Sequence, residues 1–178
     1  NQFSLCTEEE LRTQYHPDLS QLGWHLNHIA FIEQYWLREM VLGDDTHTKH
    51  AHQFYFPELI DKAGRGALPE LTNIYHLQSS FADTENLWGE LSATGSSHVL
   101  MKDNYIGWFL LQQGEQHLEI MQMVLQQKAL TTNSRHAFTA VAFEPLDPAV
   151  PDLFIAAGDY QVGSVDLLAC DNEQAIHS

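Results

Sequence analysis

Positive charge is scarce in this sequence: 8 Lys+Arg stand against 24 Asp+Glu, a formal net charge of −16 at pH 7. A nucleic-acid surface needs a basic patch that displaces phosphate counterions, and so few cations leave little to build one. Cysteine is scarcer still. Cys6 and Cys170 are far apart and in no CxxC or metal-ligand spacing, which reads as a reduced, cytoplasmic chain. No apolar run approaches the roughly 18–20 residues of a membrane span and no secretory signal precedes the fold, so no membrane partner is expected. An initiator methionine is also missing. The abrupt start at Asn1 suggests that an upstream piece is absent and a first bundle helix clipped.

What is present is globular material, 44% hydrophobic and 11% aromatic over 178 residues, enough for one domain with a sizeable core and an appendage. Histidine stands out, with 11 residues where roughly 2% of positions is usual.

Thr7-Glu8-Glu9-Glu10 has the capping-box pattern and starts a short helix ending near Tyr15, because Pro17 disfavours helical geometry at His16. Asp18 or Ser20 then caps a long helix to about Leu42, stopped by Gly43. Its apolar positions Leu22, Leu26, Ile29, Ile32, Trp36 and Met40 recur at spacings of three and four, the mark of a buried stripe. Residues 43–68 break the period and read as a long loop with a short turn of helix. Helical spacing returns from Pro69 to about Leu91, and Asp103 opens a last helix to about Leu130. After Thr131 the chain leans towards β structure, with a hairpin predicted where Leu153-Phe154-Ile155 and Tyr160-Gln161-Val162 flank a glycine turn.

The strongest chemical constellation joins two of these helices. His25 and His28 lie early on the second; Gln113 and His117, four apart and so on one face, lie midway along the last. Neutral imidazoles on rigid helices suit first-row divalent metals, and bundle cores are where such sites are built. A single histidine on an apolar helix face is more often a hydrogen-bonded core residue, so pairing across the bundle must decide. His47, His50 and His52 crowd a loop with Asp44 and Asp45, a setting that usually binds nothing. Gly64-Arg65-Gly66 lacks the strand and helix of a phosphate loop and reads as a substrate-facing turn or an ordinary glycine pair. Trp24, Tyr35, Trp36, Trp88 and Trp108 are assigned to the core.

The segments HPDLSQLGWHLNHIAFIEQYWL and YIGWFLLQQGEQHLEIMQMVL resemble the paired motifs of the DinB-like domain in the ergothioneine-type sulfoxide synthases, a branch of the nonheme iron enzymes. The likeness runs from about Thr7 to Leu130. It implies a DinB-like bundle with three iron-binding histidines, which fall here on His28, Gln113 and His117. Gln113 departs from the pattern; its carbonyl oxygen is a weaker, harder donor than imidazole. His25, one turn before His28, is a substitute third nitrogen. Glu119 and Met121 match the residues that follow, as supporting and packing positions. The tail, FIAAGDYQVGSVDLLACDNEQAIHS, is similar to the opening of the formylglycine-generating-enzyme-like domain that follows the bundle in those enzymes. Asn172, Glu173 and His177 match, while Ala175 replaces a proline.

The expected architecture is therefore mainly α: an up-down, four-helix-type bundle over 1–131, its first helix partly missing, then a linker and the truncated, β-containing start of a second domain over 132–178. The resemblance implies an O2-dependent Fe(II) sulfoxide synthase that joins the sulfur of a small-molecule thiol, or a selenol, to a histidine-derived substrate. This piece alone is expected to be inactive. The alternatives are a thiol transferase or hydrolase using zinc or nickel, and a degenerate scaffold, with a homodimer open in each case.

Overall fold

Thr7 opens helix α1 (Glu8–Arg12) through a complete capping box. Its hydroxyl accepts from the Glu10 amide at 3.2 Å, and its own amide donates to the Glu10 carboxylate at 2.8 Å. The computed structural model describes residues 6–69, 71, 74–94, 97–132 and 154–164. Four further helices follow: α2 (Leu22–Gln34), α3 (His52–Tyr55), α4 (Ile74–Thr94) and α5 (Tyr105–Thr131). The fold is mainly α, and the described residues contain no strand. Residues 154–164 hold one isolated bridge at Val162, and the rest of the predicted β tail lies outside the described residues.

Three helix boundaries differ from the sequence reading, each for a local reason. α1 stops at Arg12 rather than near Tyr15, because Thr13 turns extended and the Arg12 guanidinium ties to the carbonyls of Gly66 and Leu68 at 3.0 and 2.8 Å. Neither Asp18 nor Ser20 caps α2. Gln21 holds that position, its amide donating to the Lys62 carbonyl, while the Ser20 hydroxyl accepts from Arg65. Asp103 does not open α5; it and Asn104 adopt left-handed backbone (φ 52° and 61°), and the helix starts at Tyr105. The predicted stop at Leu42 agrees with Gly43, whose φ of 73° is the left-handed turn glycine tolerates.

α2 continues past Gln34 as a π-helical segment, Tyr35–Val41. Across this wider turn Leu37 is fully buried and Met40 exposed, so the apolar stripe passes from Met40 onto Leu37, with Trp36 half-buried against the same cluster. Leu22 packs on Met121 and Val124, and Leu37 on Ile106, so α2 and α5 run antiparallel. Gln34 meets Ser80 and Thr84, and Leu37 meets Leu87 and Leu91, so α4 runs parallel to α2. The long connection from Gly43 returns the chain for that second pass. No helix among the described residues is long and apolar enough to cross a membrane.

Close approach fixes one glycine. A Cβ on Gly23 would lie 2.8 Å from the Leu71 carbonyl oxygen and 3.0 Å from that of Leu11, both backbone atoms that cannot step aside. Gly23→Ala should therefore push α2 off both neighbours and lower stability by about 2–3 kcal/mol, measured by urea unfolding.

Candidate metal centre

The first turns of α2 carry Trp24, His25 and His28 into the bundle, all buried. α5 brings Gln113 and His117 from the opposite direction. The rings of His28 and His117 meet at a centroid distance of 4.6 Å, and those of His25 and His117 at 5.1 Å. The four side chains singled out by spacing are thus brought together in one place.

Each contact constrains the chemistry. The Tyr55 carbonyl lies 2.7 Å from His28 Nδ1 and can only accept, so the proton sits on Nδ1 and Nε2 keeps its lone pair. That Nε2 points to the Gln113 amide, 3.2 Å from Nε2 of the glutamine. Nδ1 of His25 and Nδ1 of His117 are 2.9 Å apart, so one proton serves both nitrogens. Two polar atoms are left over: His25 Nε2 and Gln113 Oε1 are buried without a hydrogen-bond partner. Orphans of this kind are rare in a settled core and cluster where a ligand belongs.

The site also resists protonation. Burial pushes His25 down to about 3, with His117 and His28 adding to the effect. It pushes His28 down to about 4, again with His117 contributing, while the Tyr55 carbonyl pulls the other way. Burial lowers His117 too. All three imidazoles are neutral at pH 7, the form that ligates metals. Among the described residues, no group of three His, Cys, Asp or Glu side chains is placed to hold a metal ion.

Support for the rings comes from residues that spacing did not reveal. Trp24 stacks on His28 at 4.6 Å and 15° and donates its indole N–H to the Phe54 carbonyl at 3.0 Å. The Arg65 guanidinium lies 3.7 Å over the Trp24 ring and is buried. The Gly64-Arg65-Gly66 turn is thus structural: Arg65 reaches the Ser20 hydroxyl at 2.5 Å and the carbonyls of Pro57 and Ile60 at 3.0 and 3.2 Å. A Cβ on Gly66 would sit 2.5 Å from the Arg12 carbonyl oxygen. The only early signal was an arginine between two glycines.

Other sequence candidates lie elsewhere. Glu119 is exposed, while Met121 packs in the core. His52 binds the Glu39 carboxylate at 2.8 Å, Asp44 accepts from Thr46, and Asp45 pairs with Lys49 at 3.3 Å, so the loop histidines and aspartates form no common site. Asn172, Glu173, Ala175 and His177, with Cys170, lie outside the described residues.

A family model described as the DinB superfamily matches residues 3–121. No curated protein and no solved structure matches the chain.

Proposed function

Because the chain belongs to the DinB superfamily, we propose that its bundle binds a first-row divalent metal through His28, His117 and Gln113, with His25 in reserve, as the metal domain of an O2-dependent sulfoxide synthase. The observation that carries this reading is the meeting of His28 and His117 across the bundle, with His28 Nδ1 tied to the Tyr55 carbonyl. A second contact on the outer nitrogen is how proteins orient a ligating histidine and fix its tautomer. The two orphaned atoms beside it belong to the remaining donors.

The residues fit a mixed nitrogen–oxygen site. As the side chains stand, the Gln113 NH2 donates to His28 Nε2; with the amide turned over, its carbonyl oxygen and the imidazole lone pair would both face a cation. Bound Fe(II) would supply a site for O2 and thiolate, and relay to O2 the four electrons that the thiol sulfur and the C–H bond of a histidine-derived substrate give up on forming a sulfoxide and water. The protein's part is to hold neutral imidazoles in place and exclude water, which burial of His25 and His28 accomplishes.

A second reading, a thiol transferase or hydrolase using zinc or nickel, is equally compatible with the family match, which covers residues 3–121 and most of the bundle. Metal analysis of protein purified without oxygen separates the two. Iron, with O2-dependent thiol consumption once the full chain is restored and both substrates are present, supports the synthase. Tightly held zinc without oxygen dependence supports the alternative, and no metal above pH 7 supports a scaffold.

Gln113→His should tighten binding of Fe(II), or of Co(II) followed by its visible absorption, by about 10–100-fold, since imidazole replaces an amide oxygen. An unchanged affinity would place residue 113 outside the coordination shell.

A further inference from the structure

A cavity of about 260 Å3 opens between α2, α4 and the start of α5. Its wall carries a single charged side chain, Glu33, among Thr84, Trp88, Asn104, Trp108 and Leu111. Glu33 lies five residues beyond His28 and so about 140° around the helix from it, on a face the metal site does not use. None of the ion pairs among the described residues includes Glu33. Burial pushes its carboxyl up to about 7, with Thr84 pulling the other way. A carboxyl withdrawn from water without a cation is costly to keep, and apolar packing would fill the place more cheaply.

The rest of the wall suits what the carboxyl lacks. The faces of Trp88 and Trp108 attract cations, and the Asn104 amide oxygen can accept an N–H group, while the Thr84 hydroxyl is engaged by Gln34 and the Ser80 carbonyl. Asn104 is held in left-handed backbone directly after Asp103, and although it stands at the N-cap of α5 its side chain makes no capping bond. Such conformations collect at ligand sites. The volume is below that of drug-sized pockets, so the ligand is small.

We propose that this cavity binds a small primary alkylammonium, its head on the Glu33 carboxylate and its chain against Trp88 and Trp108. A primary amine is favoured over a quaternary one because the two carboxylate oxygens and the Asn104 amide oxygen can accept its N–H bonds.

The test is titration of the whole protein with n-butylammonium at about pH 8, where Glu33 is ionised, followed by tryptophan fluorescence and calorimetry, with 1-butanol as the uncharged control. Saturable butylammonium binding is expected, weakened roughly tenfold or more in Glu33→Gln. Leu111→Lys, at a 53% exposed position on the rim where folding is not at stake, brings in a tethered ammonium and should abolish it. Tetramethylammonium should bind more weakly. Absence of butylammonium binding, equal binding by the two variants and the parent, or equal binding of butanol would overturn the proposal.

Discussion

Arg65→Met is expected to lower the stability of the fold by about 3–5 kcal/mol, read as a drop in the urea midpoint with little change in slope. Methionine keeps much of the volume and the apolar stem but removes every donor. The Ser20 hydroxyl and the carbonyls of Pro57 and Ile60 would lose their partner in a place water reaches poorly. The contact over Trp24 disappears as well, and with it the support behind the ring that stacks on His28. Arg65→Lys should recover little, because a point charge on a flexible stem cannot span three acceptors and lie flat on an indole. If lysine restored full stability, the effect would be one of charge alone and the hydrogen-bond account would be wrong.

Legibility of the fold followed the range of the interactions. The capping box at Thr7 and the glycine stop at Gly43 are local, and both were readable directly. The packing of α2 on α5 was readable because each carries an apolar stripe of ordinary helical period. The π-helical segment was not: Trp36 and Met40 continue the spacing of three and four, yet the extra residue per turn hands burial to Leu37. Nothing in residues 35–41 announces that change; Glu39, within the segment, meets Thr48 and His52 of the returning loop, contacts that exist only in the folded chain.

The site divides the same way. Convergence of His25, His28, Gln113 and His117 could be anticipated from positions on two antiparallel helices, because helix geometry converts spacing into direction. The Tyr55 carbonyl could not, as a backbone atom leaves no trace in side-chain patterns, and α3, which bears it, is a single turn too short to show a period. The role of Arg65 leaves no trace in the sequence for a related reason. Its three acceptors and Trp24 are gathered from residues 20–60, and only the folded loop brings them to one guanidinium.

Acid should destabilise this protein through the same histidines. His25 and His28 are held at about 3 and about 4 against an ordinary 6.5, so the unfolded chain binds protons that the folded chain refuses. A lowered pKa gives stability that is complete above 6.5 and drains as pH falls towards the folded values. Two such groups correspond to a slope of about 2.7 kcal/mol per pH unit in the window between roughly 6 and 4.5. Glu33 opposes them. Its carboxyl, pushed up to about 7 from 4.5, takes up a proton more readily in the folded state, so acidification through that window favours the fold by about one proton. The histidines win, with a net loss near 1.4 kcal/mol per pH unit, large against the 5–15 kcal/mol typical of a domain. Glu33→Gln removes the opposing term and should roughly double that slope, whereas His25→Leu should flatten it. Urea unfolding at a series of pH values in the metal-free protein reads all three slopes. A wild-type profile level from pH 7 to 4.5 would mean that the two imidazoles are as free to protonate in the fold as in the open chain.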